Sequence, residues 1–253
     1  MSNATIELLH KHGSVRNYKV DPVLKQMVET IVAAGQRAST SSNMQMYSVV
    51  ATSDQDKRNR LMELCGGQKQ IGLAPVFLAW CADLSRIARI CEMQGYDNES
   101  GYLENFVLSV VDVSIMMQNA AIAAESLGLG MCYIGAIRNN PQEVIDLFDL
   151  PNLVFPVSGM TLGWPEKDPP IRPRLPLDAV LHWDVYNKDD EQHLKAYDQE
   201  MIATGIYKGR QVSGGDDKPE AVYGWTEHTA RRASKILRPH LREVLQKAGF
   251  AMK

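Results

Sequence analysis

Residues 103–137 read LENFVLSVVDVSIMMQNAAIAAESLGLGMCYIGAI, a long apolar run followed, after two glycines, by a short one. We predict a helix over 103–127 and a strand over 131–137, because glycines end helices and short apolar runs favour strands. Part of the helix, 106–127, is long enough to cross a bilayer. However, Asp112 lies near its middle, and a charge there is costly in lipid. We therefore expect a helix buried in the core or at a subunit interface, and no membrane partner.

Outside this stretch, short apolar runs alternate with helical patterns. Three further strands are predicted, at 46–52, 76–82 and 154–162. Further helices are predicted at 22–35, 53–64, 84–94, 141–148, 189–203 and 225–248, the last bent near Pro239. The first of these helices has Asp21-Pro22 as its start signal, and the second has a capping box of Ser53 and Asp56. Strands scattered between long helices indicate an α/β or α+β fold.

The whole chain, 1–253, is predicted to form a single domain, since no repeat or linker divides it. A proline-rich extended loop is expected at 164–176, and a glycine-rich, mobile surface loop at 205–224. Residues 225–253 are predicted to form a C-terminal helical extension.

The composition is that of a folded and mildly acidic protein. Of 253 residues, 45% are hydrophobic and 23% charged, and the formal net charge is -3, so no nucleic-acid partner is expected. The four cysteines lack a C-x-x-C spacing and the N-terminus lacks an apolar run, so we expect a cytoplasmic protein without a secretory signal. Motifs of P-loop NTPases, zincins, α/β-hydrolases and EF-hands are absent from the sequence. The spacing of the histidines predicts no metal site.

Short polar segments of the sequence suit a phosphorylated, planar ligand. Three of them are His12-Gly13-Ser14-Val15-Arg16, Thr40-Ser41-Ser42 and Arg172-Pro173-Arg174. Arginine binds phosphate through its forked head group, hydroxyl loops accommodate anions, and a proline between two arginines restricts their positions. In a fourth, Tyr133-Ile134-Gly135-Ala136, a glycine after a strand allows a backbone N–H to approach a ligand closely. On composition alone, a solvated loop is the favoured explanation for 12–16 and a simple turn for 40–42, whereas the two arginines of 172–174 are more informative.

The four segments occur in order with several others along the chain. These are Gly66-Gly67-Gln68-Lys69, the stretch 123–130, Arg138-Asn139-Asn140 and Gly163-Trp164-Pro165. Over about residues 5–250, the set resembles the nitroreductase superfamily, in its NADPH-preferring branch of oxygen-insensitive nitroreductases and flavin reductases. Each motif is weak alone, and the resemblance rests on the whole set.

The resemblance implies an α+β, nitroreductase-like fold, in which helices flank a central, mostly antiparallel sheet and a C-terminal helical extension follows. It also implies an intertwined homodimer with FMN at each subunit interface and NADPH as electron donor. By position, the phosphate and ribityl end of FMN would contact His12, Gly13, Ser14, Arg172 and Arg174. Arg16 would lie at the N1–O2 edge of the isoalloxazine. The ring would be lined by Thr40, Ser41, Ser42, Gln68, Tyr133, Ile134, Gly135 and Ala136, with the Gly135 N–H at N5.

Two positions depart from the family pattern. Gly13 stands where the family commonly has arginine, and Arg172 stands where it has lysine. The first change removes a cation, which would loosen FMN or alter access to the ring, whereas the second keeps the charge and changes the head group. Candidates for the 2′-phosphate of NADPH are Lys208, Arg210 and Lys218, with a solvated loop as the alternative. A solvated helix face is expected for Arg231, Arg232, Lys235, Arg238 and Arg242.

The predicted function is that of an FMN-dependent NAD(P)H oxidoreductase. It would reduce small-molecule oxidants such as nitroaromatics or quinones by two-electron hydride transfer in a ping-pong cycle. The flavin would carry the chemistry, so no catalytic side chain is nominated, and Arg16 and Gly135 would tune it. One alternative is a flavin reductase that supplies reduced free FMN to a monooxygenase. Another is a flavin-binding protein without turnover.

Overall fold

An antiparallel sheet of four strands lies at the centre of the chain that the computed structural model describes, residues 2–99, 101–251 and 253. The strands are β1 (Tyr47–Thr52), β2 (Val76–Asp83), β3 (Gly130–Ile134) and β4 (Val154–Gly163). Their order across the sheet is β1-β2-β4-β3, and every neighbouring pair is antiparallel. The predicted α+β class and antiparallel sheet are confirmed.

Helices precede, connect and follow the strands. They are α1 (Ala4–His10), α2 (Lys25–Gly35), α3 (Gln55–Leu64), α4 (Gln70–Leu73), α5 (Ser85–Gln94), α6 (Leu103–Ser126), α7 (Pro141–Phe148), α8 (Glu191–Ala203), α9 (Trp225–Ala233) and α10 (Leu241–Lys247). The chain divides into two compact units. The first comprises the residues up to Pro170 together with Arg238–Lys253 and contains the sheet, and the second is Ile171–Leu237 with α8 and α9. The single domain and the mobility of loop 205–224 stay predictions.

β2 is buried along its whole length, which explains its continuous apolar sequence. Leu78 and Trp80 face one side and pack in a cluster with residues of α2 and α6. Phe77 and Ala79 face the other side and pack with residues of α3 and α7. Helices therefore cover both faces of the sheet.

β3 is shorter than the predicted strand over 131–137. Its pairing with β4 ends at Ile134, opposite Gly159. The next residues, Gly135–Arg138, form a 3-10 turn that brings Ile137 into the core. The backbone at Gly135 therefore leaves the sheet immediately after the strand.

Two predicted helix starts are wrong by one or more residues. The helix expected from Asp21-Pro22 begins at Lys25, because Leu24 is still extended. α3 is capped by Asp54, whose carboxylate accepts a hydrogen bond from Lys57 N at 2.8 Å, rather than by the serine before it. Both motifs lie close to the observed helix starts. A start motif does not specify the first helical residue to better than one or two positions.

The predicted C-terminal helix is divided into α9 and α10, which confirms the break near Pro239. Between them, Arg238 has a φ of 53°. The residue before a proline is restricted away from the helical conformation. α10 belongs to the first unit, where Val244 and Leu245 pack in a cluster with Phe155.

The solvated face predicted for the basic residues of this region is wrong for two arginines. Arg231 is 6% exposed, and its guanidinium donates to Val212 O at 3.0 Å and to Asp216 O at 2.6 Å. Arg238 donates to Asn139 Oδ1 at 3.0 Å. Burial of arginine is tolerated when its donors are matched, and here the acceptors come from other loops.

α6 has one buried and one exposed apolar face. Asp112 and Met116 are each 1% exposed, whereas Val107, Val111 and Ile115 are 41–48% exposed. Among the described residues, this is the one helix long and apolar enough to cross a membrane, and 33% of its apolar window is buried. The predicted helix is confirmed, and its burial is one-sided.

Candidate functional site

The segment 12–16 runs beside β3 and is anchored there. Val15 N donates to Met131 O at 2.9 Å. The Tyr18 hydroxyl donates to Val15 O at 2.8 Å and lies 2.7 Å from Thr161 Oγ1. Burial raises the pKa of Tyr18, so this hydroxyl stays protonated. The polar side chains of the segment therefore project from a fixed backbone.

His12 is paired with a carboxylate that comes from the last turn of α6. Its Nδ1 lies 2.6 Å from Glu125 Oε1, and the two side chains are 26% and 12% exposed. This contact fixes the ring and leaves Nε2 as the nitrogen that a ligand can meet. The role of Glu125 was missed in the sequence, because no spacing rule connects residues 113 positions apart.

Arg16 is exposed at a cleft of about 130 Å³ between residues 14–17 and 167–170. Its Nη1 lies 3.5 Å from Ser14 O. Within the described part of the chain, no carboxylate pairs with it at ion-pair distance. A guanidinium without an internal counter-ion is available for an anion or an electron-rich group.

Gly13 is buried at a place where a side chain does not fit. An added Cβ would lie 2.7 Å from Pro169 Cγ and 3.2 Å from Pro170 O. The proline loop thus fills the space in which an arginine side chain would begin. Glycine at this position removes a cation that the family pattern has, and the packing of Pro169 and Pro170 leaves no space for a side chain there.

The hydroxyl segment at 40–42 enters a 3-10 turn that is fixed to α6 by Asp112. The Asp112 carboxylate accepts hydrogen bonds from Ser41 N at 2.8 Å and Met46 N at 3.3 Å. Sequence reasoning noticed Asp112 only as an interruption of an apolar helix. An acid inside an apolar pattern signals a buried polar partner, since buried charges require hydrogen bonds.

The same loop contains strained backbone and an unsatisfied hydroxyl. Ser42, Asn43 and Gln45 have φ values of 48°, 57° and 52°, a left-handed conformation that costs roughly 1–2 kcal/mol for each residue. Thr40 Oγ1 is buried and has no hydrogen-bond partner among the described residues. Such features concentrate at ligand sites. A ligand or partner subunit that forms a hydrogen bond with Thr40 Oγ1 would therefore stabilise this loop.

Gly135 leaves open space beside the backbone. Among described residues, a Cβ added there would meet Arg138 Nη2 at 3.5 Å, which is ordinary contact. At Gly130, by contrast, a Cβ would clash with Val15. Internal crowding therefore explains the glycine at 130 but not at 135, where the described residues leave the backbone open to close approach.

The neighbours of Gly135 use their side chains for packing. The Tyr133 hydroxyl donates to Gln118 Oε1 at 3.0 Å, and burial together with Glu125 raises its pKa. Ile134 is fully buried, and Ala136 packs against the core. Contact between this segment and a ligand would thus come mainly from the backbone.

Gln68 lies in a tight loop between α3 and α4. Gly66 and Gly67 form the turn with φ values of 74° and 72°, which favour glycine. The Gln68 amide donates to Cys65 O at 3.3 Å and accepts from Gln70 Nε2 at 2.7 Å. Its orientation is fixed, but no described hydrogen bond joins it to segment 12–16 or loop 40–42.

The Arg138-Asn139-Asn140 motif is structural. Arg138 donates to Val157 O, and its burial lowers the pKa of the guanidinium. Asn140 Nδ2 donates to Leu64 O at 2.6 Å. Together with the Arg238 contact described above, these bonds hold the turn after β3 against three other segments.

In the second unit, the two predicted phosphate-binding arginines lie on an extended segment. Arg174 Nη1 donates to Arg172 O at 3.1 Å, and Tyr197 OH donates to Pro173 O at 3.3 Å. Arg174 also borders a mainly apolar cavity of about 420 Å³ that includes Tyr197 and Trp225. Both guanidinium groups are exposed within this unit.

The three NADPH candidates differ in their surroundings. Lys218 forms an ion pair with Glu227 at 2.7 Å, and hydrogen bonds from Lys218 and Arg231 lower the pKa of that carboxyl. Lys208 and Arg210 are exposed in the same unit. Lys218 is therefore engaged, whereas Lys208 and Arg210 form no ion pair among the described residues.

The described residues contain no group of three or more histidine, cysteine, aspartate or glutamate side chains that could hold a metal ion.

Comparison with known proteins identifies the class to which this fold and site belong. A model described as "Nitroreductase family" matches residues 9–164, and "Nitroreductase family, C-terminal domain" matches residues 172–253. The chain is 39% identical to the oxygen-insensitive NADPH nitroreductase of Salmonella typhimurium, over 98% of each chain. It is 38% identical to the FMN reductase [NAD(P)H] of Bacillus subtilis, again over 98% of each.

A solved structure agrees with these relatives. The NADPH:FMN oxidoreductase from Vibrio harveyi complexed with NAD+ superposes with a TM-score of 0.87 at 33% identity, covering 99% of this chain and 100% of that one. The protein belongs to the nitroreductase family.

Proposed function

We propose that this protein is an FMN-dependent NAD(P)H oxidoreductase that passes electron pairs to small-molecule oxidants such as nitroaromatics or quinones, in a ping-pong cycle. The names of relatives that span its whole length, an NADPH nitroreductase and an FMN reductase, support this function. The observation that carries it is the anchored segment 12–16, which holds an imidazole, a hydroxyl and an unpaired guanidinium beside the strand that leads to Gly135.

The described residues fit FMN in three respects. Segment 12–16 offers donors suited to a phosphate and to an electron-rich ring edge. An added Cβ at Gly135 would make only an ordinary contact with the described residues, so its backbone can be approached closely. The buried Thr40 hydroxyl lacks an internal partner among the described residues. When bound, FMN supplies the hydride chemistry, which no protein side chain provides.

The protein contributes binding, orientation and charge. Arg16 would place a permanent positive charge at the flavin edge that gains electron density on reduction, and this charge would stabilise the reduced form. The Gly135 N–H would donate a hydrogen bond to the ring. Neither group exchanges a proton, so the chain's own residues tune the reaction without acting as an acid or base.

The remaining assignments are supported by the sequence resemblance. His12, Gly13, Ser14, Arg172 and Arg174 hold the phosphate and ribityl end in this proposal. The ring is lined by Thr40, Ser41, Ser42, Gln68, Tyr133, Ile134 and Ala136, and NADPH phosphate meets Lys208, Arg210 or Lys218.

A homodimer and a cytoplasmic location are part of the proposal. Val107, Val111 and Ile115 form a half-exposed stripe at helical spacing on α6, and covering it would bury apolar surface worth about 25 cal/mol per Å². Cys65, Cys81, Cys91 and Cys132 are not joined in disulfides, which suits a reducing compartment.

Purified protein tests the function directly. We expect visible flavin absorbance and parallel-line initial-velocity patterns with NADPH and an acceptor. A colourless protein that gains no activity on addition of FMN would refute the proposal.

Arg16→Ala tests the role of the guanidinium. Loss of the fixed charge should lower kcat/KM for NADPH by about 100-fold, as for removal of a preorganised donor, while flavin absorbance shows that FMN remains bound. Arg37→Ala, which alters another exposed arginine, is the control. Equal kinetics for the two variants would contradict the assigned role.

A flavin reductase is the second candidate, favoured by relatives named FMN reductase. A higher kcat/KM for free FMN than for a nitroaromatic or quinone would select it. Bound flavin that NADPH fails to bleach would instead indicate a flavin-binding protein without turnover.

A further inference from the structure

The contact between His12 and Glu125 is a feature that flavin binding alone does not explain. A carboxylate lies 2.6 Å from the ring of a residue assigned to a phosphate. We propose that Glu125 is a positioning residue for the flavin phosphate: through Nδ1, it holds the His12 ring so that Nε2 faces the phosphate. The inference rests on the proposed function and adds one residue to its machinery.

Both partners of the contact are mounted on fixed supports. Glu125 lies in the last turn of α6, where Leu127 N and Leu129 N close the helix end on the carbonyls of Ala123 and Ala124. His12 lies between α1 and Val15, which is bonded to β3. The pair therefore joins the N-terminal segment to α6 at one point.

The hydrogen bond determines which edge of the imidazole is available. The ring nitrogens point away from each other, and a proton on Nδ1 is retained by the carboxylate oxygen that accepts it. A histidine without such a partner rotates about two side-chain bonds and loses this freedom when it binds a ligand. A ring already fixed by Glu125 avoids that part of the cost of binding.

The donors near the pair favour an anion on the Nε2 side of the His12 ring. Lys11, His12, Ser14 and Arg16 supply donors within one short segment. A bare carboxylate next to a phosphate would be repelled by about 1 kcal/mol at 4 Å in water, and by more in a shielded site. With the His12 ring between them, Nδ1 faces the carboxylate and Nε2 would face the phosphate, so the two acidic groups do not meet directly.

FMN and riboflavin distinguish this role from a structural one, since they differ only in the phosphate. For Glu125→Ala, we expect the Kd for FMN, measured by quenching of flavin fluorescence, to rise about tenfold, as for loss of one oriented charge-assisted bond. The Kd for riboflavin should change less than twofold. Glu125→Gln, which keeps an acceptor for Nδ1, should give an intermediate loss and provides the test if the alanine variant misfolds.

Two controls complete the experiment. Glu143→Gln removes an exposed carboxylate of α7 and should leave both Kd values unchanged. In a His12→Asn background, Glu125→Ala should have no further effect on FMN binding.

Equal weakening of FMN and riboflavin, no change for either, or an undiminished effect without His12 would overturn the inference. If the unaltered protein binds neither flavin, the proposed function itself fails.

Discussion

Single polar residues at this site are held by partners far away in the sequence. Glu125 meets His12 across 113 positions, and Asp112 meets Ser41 across 71. Residue type alone showed that Asp112 is expensive to bury. It did not show which donors would satisfy the carboxylate, because the N–H groups of Ser41 and Met46 reach Asp112 only once α6 lies beside their loop.

Gly13→Ala tests the packing that accompanies the missing arginine. The new methyl group would lie 2.7 Å from Pro169 Cγ, and such overpacking should lower the free energy of unfolding by about 1–3 kcal/mol. Urea denaturation measures the change. Introduced into a Pro169→Gly variant, the same alanine should cost less than half as much, and an identical cost in both backgrounds would exclude a clash with the proline.

At the scale of elements, α6 supports most of the first unit's site. One face packs on the sheet, Asp112 in its middle fixes the hydroxyl loop, and its C-terminal turn carries Glu125. The apolar pattern predicted this helix, because packing on a sheet requires it. The loop and the histidine that it holds could not be predicted from periodicity, which is a local property.

Asp112→Ala should destabilise this arrangement. The change leaves the backbone N–H groups of Ser41 and Met46 without their acceptor, at roughly 1–3 kcal/mol each. We expect a lower urea midpoint and reduced flavin occupancy by absorbance. Asp112→Asn retains one acceptor oxygen and should fall between the two proteins; full stability of the alanine variant would show that the loop is held by other contacts.

The boundaries of elements were predicted less well than their existence. β3 ends at Ile134 although the apolar run continues, because Ile137 is buried from a 3-10 turn rather than from a strand. Burial produces the same apolar signal in both conformations. The site depends on this difference, since the turn frees the backbone at Gly135.

For the whole molecule, the exposed stripe of α6 predicts self-association. Val111→Lys combined with Ile115→Lys places two charges on this face and should convert a dimer into monomers in sedimentation equilibrium, with unchanged far-UV circular dichroism. Flavin content should fall if FMN lies at the subunit interface. Val20→Lys, at a fully exposed valine, is the matched control, and a dimer that survives the double change would place the interface elsewhere.

In this proposal, residues of the second unit determine the preference for NADPH over NADH. Arg210→Ala should raise the KM for NADPH about tenfold, the loss of a charge-assisted contact to the 2′-phosphate, and leave the KM for NADH unchanged. Lys195→Ala removes an exposed cation of the same unit that is paired with Glu191 and should affect neither. A parallel rise for both nucleotides would show that Arg210 does not read the phosphate.

The amino-acid sequence by itself indicated an α/β or α+β fold, because periodicity and turn residues are local properties of the chain. The order of its motifs gave the resemblance to one family, which implied the α+β class and the kinds of chemical group at the site. Tertiary structure alone decided which of those side chains already have hydrogen-bond or ion-pair partners within the protein. Arg138, Arg231 and Lys218 are matched by carbonyls or a carboxylate. Among the described residues, Arg16 forms no ion pair and its one hydrogen bond is to Ser14 O at 3.5 Å, and Thr40 Oγ1 has no hydrogen-bond partner. That division depends on distances between remote segments, and these are set only when the core packs.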